Sequence, residues 1–359
     1  MIRFAWLRFR TQALVAFGVL AVLAVVLVVT GIRLAHAYDA AVAACKLHGD
    51  CASALSLFPS NGYLTASNEL HPLVIAIPCV LGMFWGAPLA AREFETGTFR
   101  LAWTQGSTRI RWLAVKLAVV GAASVAVAGL LSLMVTWWSS PIAAVQMGVR
   151  LDPGIFAEGG IAPVGYAAFA FALGVTAGLL SRRTLPAMAV TLGIFVAVVW
   201  FAFPVLVRPH LLPPAQITVP LTATSINGFE GVGDGRLLVQ TAPPHLPGAW
   251  VLSSQLTTPG GRAVSTLPAT RACASNASGQ TCSTYVESLH LRQTVTYEPA
   301  SRYWPLQWYE TGIYLAVALA LDGLCLWWIR PRHFGARNIR HRTSQPTPTL
   351  RAAARPTAR

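Results

Sequence analysis

The sequence predicts an all-α polytopic membrane protein: six transmembrane helices, with a small β-rich extracytoplasmic domain between the fifth and the sixth. Three observations carry that expectation. Hydrophobic residues make up 54% of the chain and charged residues only 11%, a balance suited to lipid rather than to a soluble domain. Six apolar runs reach the roughly 20 residues a helix needs to cross the hydrocarbon layer. Basic residues crowd the short segments between alternate runs, as the positive-inside rule requires. The net charge of +14 would also fit a nucleic-acid binder. Its placement beside apolar runs assigns it to topology instead, and no nucleic-acid partner is expected.

Residues 1–11 interleave Arg3, Arg8 and Arg10 with Phe4, Trp6, Leu7 and Phe9, the pattern of an interfacial N-terminal segment. Ala35-His36-Ala37 has the form of a signal-peptide cleavage site, but the apolar run Ala13–Ile32 is longer than the core of such a peptide, so a retained anchor is expected. The spans fall at about 12–32, 71–91, 117–138, 161–180, 186–207 and 309–329. Residues 12–207 thus hold helices one to five, and 307–329 the sixth. Pro72, Pro78 and Pro88 are expected to interrupt the second, whereas Pro186 sits near a helix start, where proline is tolerated. Gly82 and Gly86, like Gly174 and Gly178, form small-xxx-small faces, read first as helix packing and second as a dimer face.

With the N-terminus inside, 18 of the 27 Lys and Arg fall on the inner segments: the N-terminus, 92–116, Arg182 with Arg183, and the tail 330–359. Both termini are then cytoplasmic. The acid-free tail should lie on anionic headgroups. Arginine outnumbers lysine 25 to 2, as in proteins of GC-rich bacterial genomes, and a bacterial plasma membrane is the expected location. Cys45 and Cys51 fall in the first outer loop, Cys273 and Cys282 in the last, and no cysteine falls inside. Local disulfides Cys45–Cys51 and Cys273–Cys282 are expected, with cross-loop pairing as the alternative. The outer segment 208–306 is rich in Pro, Gly, Ser and Thr. It carries strand-like runs at 236–240, 250–256 and 285–297.

Several chemistries are excluded or weak. Neither lysine follows glycine in a phosphate-binding loop: Lys46 precedes Leu47 and Lys116 precedes Leu117. The chain therefore has no ATPase motif of its own and is not expected to be an enzyme or to bind a cofactor. No His-Glu-x-x-His or Gly-x-Ser-x-Gly occurs, and His36, His48 and His71 read as surface groups rather than a metal site. Tyr38-Asp39 and Gly231-Val-Gly-Asp234 imitate the motif pair of intramembrane aspartyl proteases. That chemistry needs both acids facing each other within the membrane, whereas Asp39 lies past the first span and Asp234 in a Gly-rich turn. Asp322 is the one acid inside a span, which makes it a functional candidate. The competing reading pairs it with Arg330 or Arg182 near the inner interface. Glu310, with Trp304, Trp308 and Tyr309, is expected at the outer interface.

The most informative stretch is 92–116. Glu93 and Glu95 are the only carboxylate side chains predicted inside, and they precede Gly97-Thr98 and an apolar stripe of Phe94, Phe99, Leu101 and Trp103. Arg100, Arg109, Arg111 and Lys116 surround them. The pattern suits a helix lying along the inner membrane surface. Its order (acid, Glu-x-Gly-Thr, apolar stripe, polar break, Arg-x-Arg-Trp, Lys) resembles the permeases of type-2 ATP-binding-cassette exporters. The run from Tyr303 to Gly312 is similar to one branch of the same family, although the long loop before the last span departs from many relatives.

The resemblance implies a permease that exports a substrate such as an amphipathic drug, lipid or peptide. A separate ATPase subunit, carrying ATP and Mg, would drive it, with a second copy or a related permease as partner in the bilayer. It further implies that Glu93, Phe94, Glu95, Gly97, Thr98, Phe99, Arg100, Leu101, Trp103, Arg109 and Arg111 couple the chain to the ATPase. The alternative from another class is a membrane sensor or immunity-type receptor that binds ligand with the outer domain and transports nothing.

Overall fold

A computed structural model describes residues 2–48, 63–97, 108–145, 151–233, 235–244, 246–270, 273 and 279–330 of the 359. Helix α1 spans Ile2–His48 without a break. Residues 2–11 are therefore continuous with the first span rather than set apart from it. No proline lies between Ile2 and His48, so the backbone has no reason to stop where the lipid does. Hydropathy marks only the lipid-crossing part of such a helix.

Helix α2 comprises Tyr63–Leu81, a π-helical turn Gly82–Gly86 and Ala87–Thr96. The three prolines do not interrupt it. Pro72 and Pro78 lie within the helix. Just before Pro88 the ladder has already slipped by one residue, the Ala87 N–H donating to the Gly82 carbonyl. Helix α3, Arg109–Val145, is longer than the expected run. Pro141 removes one backbone donor there, and the Ser140 hydroxyl takes the orphaned Trp137 carbonyl at 2.8 Å.

A short α4 (Pro153–Glu158) precedes α5 (Ala162–Ser181). Helix α6 begins at Thr184–Phe195 and continues as a π-helix Val196–Val207 and a 3-10 turn Arg208–His210. Helix α7 (Gly279–Ser288) falls within the sheet region that follows, and α8 (Tyr303–Trp328) comes after it. Among the described residues six helices are long and apolar enough to cross a membrane: α1, α2, α3, α5, α6 and α8.

Helix α5 is the hub. Of its apolar stretch 78% is buried inside the protein, against 22% for α6 and for α8. Small residues make this possible. A methyl group on Gly174 would come within 2.3 Å of the Gly82 carbonyl oxygen, and one on Gly178 within 2.5 Å of that of Ala87. The two small-residue faces read from the sequence thus pack against each other, α2 on α5. Leu20, Leu27 and Leu34 of α1 belong to the same core as Val120, Val127 and Leu131 of α3. The Trp138 indole N–H donates to the Thr30 hydroxyl at 2.9 Å.

The C-terminal part adds a small antiparallel sheet region within residues 215–298. One sheet runs β1-β7-β4-β5, from Ala215–Pro220, Arg292–Glu298, Trp250–Thr257 and Ala263–Val264. The other runs β2-β3-β6, from Ile226–Gly233, Arg236–Thr241 and Leu267–Pro268. Two of the expected strands appear as β3 and β4. The third is corrected: residues 285–288 belong to α7, and the strand starts only at Arg292. Leu221, Val239, Leu256, Leu267, Cys282, Val286 and Leu291 form its core.

Candidate functional site

At one end of the bundle the last turn of α2 is a junction. The Glu93 carboxylate accepts from the Lys116 ammonium of α3, which also sits 4.2 Å above the Trp112 ring. Glu95 Oε1 accepts the Thr184 backbone N–H at 2.8 Å, and its Oε2 accepts the Thr184 hydroxyl at 2.7 Å. One carboxylate therefore holds α3 and the other the start of α6. Phe94 turns inward and packs on the apolar core. Gly97 ends the helix at φ 71°, a left-handed cap that favours glycine. Thr108 opens α3, its hydroxyl accepting the Arg111 N–H at 3.3 Å. Thr98, Phe99, Arg100, Leu101 and Trp103 lie outside the described residues, as does the course of the chain between Gly97 and Thr108. The structure thus gathers Glu93, Phe94, Glu95 and Lys116 and brings Thr184, which sequence reasoning did not single out, to the same place.

At the opposite end stands a cluster the sequence did not disclose. Arg208 and Glu310 are each 1% exposed and form a two-pronged ion pair, Nε to Oε2 at 2.9 Å and Nη2 to Oε1 at 3.0 Å. The Tyr166 hydroxyl donates to Glu310 Oε1, and the Arg208 guanidinium lies 4.5 Å from the centre of the Phe156 ring. Glu310 thus stands near the start of its helix but faces the protein interior. Its neighbours Trp304, Trp308 and Tyr309 are more than half exposed, as a belt would be, but Glu310 occupies the inward face of the same helix. The available signal was two opposite charges at the outer ends of the fifth and sixth runs.

One turn earlier, Gln307 Oε1 accepts the N–H groups of Ile161 and Ala162 at 3.1 and 2.9 Å, while its Nε2 donates to the Phe156 carbonyl at 2.9 Å. A side chain of α8 thereby caps α5, whose own N-cap residue Ile161 has nothing to offer. Nearby, burial together with the charge of Asp152 pushes the Glu158 carboxyl up to about 7.

Farther along α8, the buried Thr311 hydroxyl, the Tyr314 hydroxyl and Asp322 Oδ1 find no hydrogen-bond partner among the described residues. The competing reading, a pairing with Arg330 or Arg182, finds no such contact among the described residues; the helix neighbour Cys325 meets the Thr176 hydroxyl at 3.2 Å. Asp322 Oδ1 is thus without a partner among the described residues, within an apolar helix.

Cys273 and Cys282 are disulfide-bonded with Cα atoms 4.6 Å apart, as the local-pairing reading expects. Cys45 is also disulfide-bonded, and Cys51 lies outside the described residues. Cys79 and Cys325 are free and buried. Asp39 is exposed on α1, Gly231 and Gly233 sit in strand β2, and Asp234 lies outside the described residues.

Six helices long and apolar enough to cross a membrane, with a part-exposed polar junction at one end and a buried ion pair at the other, make a polytopic membrane protein. Residues 17–208, more than half of the chain, match the family model described as ABC-2 membrane transporter related, and the chain belongs to that family. Members are membrane transport components, not themselves enzymes; they generally work with an ATP-binding-cassette ATPase and often dimerise. No curated protein and no solved structure matches the chain.

Proposed function

We propose that this chain is the transmembrane permease of an ATP-binding-cassette exporter, driven by ATP and Mg on a separate ATPase and paired with a second copy or a related permease. The observation that carries this reading is the family match over residues 17–208, which takes in the whole of 92–116. The substrate class is an amphipathic drug, lipid or peptide. The positive-inside distribution supports a plasma-membrane orientation with both termini cytoplasmic. The junction of α2, α3 and α6 then faces the cytoplasm, and 208–306 is the outer domain between the fifth and sixth spans.

Closure of the ATPases on ATP would displace the segment after Gly97, shifting the helices between inward- and outward-facing packings. Phe99, Leu101 and Trp103 are the apolar contacts to the ATPase, and Arg100, Arg109 and Arg111 meet its acidic groups or lipid headgroups. Glu93 and Glu95 have partners within the chain, so their part is to shape the segment's root rather than to meet a basic surface directly.

The test is purification of the protein from native membranes with identification of what it retains. An ATPase subunit is expected. Phe99→Ala with Trp103→Ala should leave insertion intact and weaken retention, two interface aromatics being worth at least ~2 kcal/mol, or about thirtyfold. A wild-type chain that retains no ATPase is the receptor alternative, and a double variant that retains wild-type amounts removes these residues from the interface.

A further inference from the structure

Helix α6 has two peculiarities. It packs along one narrow stripe: Ala187, Thr191, Phe195, Val199 and Phe203 are buried, while Leu185, Trp200, Phe201 and Leu206 are more than half exposed. It also starts without a cap of its own. The N-cap residue is Arg183, at φ −134° and ψ 134°, and its side chain makes no capping bond. Pro186 has no N–H, and the Ala187 N–H is taken by the Arg183 carbonyl at 3.3 Å. The orphan donors of the first turn are therefore those of Thr184 and Leu185. The Thr184 N–H and hydroxyl are both satisfied by Glu95, from another helix, one donor on each carboxylate oxygen.

The location of that cap matters. Glu95 stands two residues before Gly97, where α2 ends and the segment 98–107 begins. Helices α2 and α3 are covalently joined to that segment and must follow it. Helix α6 has no such link. It packs on α2 deeper in the bundle, through Ala87 and Ala187 and a core shared by Ile75, Cys79, Phe195 and Val199, but at the segment's root itself the side-chain link is the exposed Glu95 carboxylate. A negative group on a helix N-terminus is also favoured by the helix dipole.

We propose that Glu95 is a positioning residue that fastens α6 to the root of the coupling segment, so that a displacement of the segment is delivered to α6. This rests on the reading of the chain as an ATPase-driven permease. It assigns Glu95 to an internal linkage, separate from the docking of the ATPase. A cap that only stabilises α6 could equally be supplied locally; a tether cannot. That difference supplies the test. Glu95→Ala removes both roles. Adding Arg183→Asp places an acceptor at the N-cap for the Leu185 N–H and restores local capping without restoring the link.

Nitroxide labels are placed in full-length protein in lipid nanodiscs, in a background lacking Cys79 and Cys325. One pair, on Arg92→Cys and Leu185→Cys, reports the junction. A second pair, on Val15→Cys and Leu185→Cys, reports α6 against α1. In the permease alone, the first pair should give a narrow distance distribution that broadens in Glu95→Ala and stays broad with Arg183→Asp added. In the complex with its ATPase, the second pair should shift on addition of ATP and vanadate. Glu95→Ala should lose that shift while retaining the ATPase, and Arg183→Asp should not bring it back.

Recovery of the narrow distribution or of the shift by Arg183→Asp makes Glu95 a structural cap and overturns the proposal. So does a wild-type complex in which α6 does not move. If the wild-type chain retains no ATPase, the exporter reading fails, and the first pair alone still decides whether the tether exists.

Discussion

Arg208 and Glu310 illustrate how a charge placed at a membrane boundary becomes an interior one. Each is 1% exposed, and each is matched by the other, by Tyr166 or by the Phe156 ring. Such a pair contributes little net stability against an apolar substitute, because desolvation consumes most of the attraction, but breaking it strands a charge. Glu310→Gln should therefore lower stability by ~3–5 kcal/mol. Tyr166→Phe, which removes one donor to an already paired carboxylate, should cost about 1–2 kcal/mol. The double variant Arg208→Met with Glu310→Leu should recover most of the Glu310→Gln loss. Thermal midpoints of the purified protein in one detergent give the order, and a double variant no better than Glu310→Gln would mean that the charges themselves are required. The pair could not be read from the sequence because its members are 102 residues apart. Hydropathy assigns depth, not the direction a side chain faces, so aromatic neighbours made Glu310 look interfacial. Glu93 and Glu95 were legible as unusual acids, but their partners Lys116 and Thr184 needed the fold.

At the scale of elements, α5 carries the architecture because its small residues let α2 approach closely. This was legible: a four-residue spacing of glycine in an apolar run gives a flat face, and two such faces, at Gly82/Gly86 and Gly174/Gly178, are found packed together. The same spacing gives a graded prediction. Gly174→Ala would set a methyl 2.3 Å from the Gly82 carbonyl oxygen, so α2 must back away, at about 1–3 kcal/mol. Gly193→Ala in α6 meets nothing within 4 Å and should be neutral or stabilising by up to ~1 kcal/mol through helix propensity. Thermal midpoints of the two variants test the contrast; equal effects would mean that α2 and α5 do not pack as described. Helix ends were less legible than helix existence. α1 outruns its apolar stretch because nothing in the backbone stops it, α3 runs on through Pro141, and in α2 the π-helical turn accommodates Pro88 while Pro72 and Pro78 lie within the regular helix. The 285–288 stretch departs from expectation for a related reason. Gly279–Ser288 folds as a helix that buries Cys282 and Val286, an i, i+4 pair, and the alternation expected of a strand begins only beyond His290.

For the whole molecule, the proposed orientation rests on electrostatics. Of the 27 Lys and Arg, 18 fall on the segments assigned to the inner side, which are much the shorter share of the polar sequence. Of those segments, the described residues 92–97, 109–116 and 182–183 lie at the end of the bundle where α2, α3 and α6 meet. The disulfide between Cys273 and Cys282 falls in the sheet region assigned to the outer side, where the oxidising compartment would form and keep it. Charge and redox chemistry are independent, and both favour the proposed orientation. Single cysteines at Ser107, Ser253 and Ser344 decide it, introduced one at a time with the buried Cys79 and Cys325 left in place. In intact cells a membrane-impermeant maleimide should modify Ser253→Cys and leave Ser107→Cys and Ser344→Cys unmodified. Permeabilised cells should expose all three positions. Modification of Ser107→Cys from outside, with Ser253→Cys protected, would turn the molecule over: the Glu93–Glu95 junction would then face away from any ATPase, and the tether to α6 would have no motor to follow.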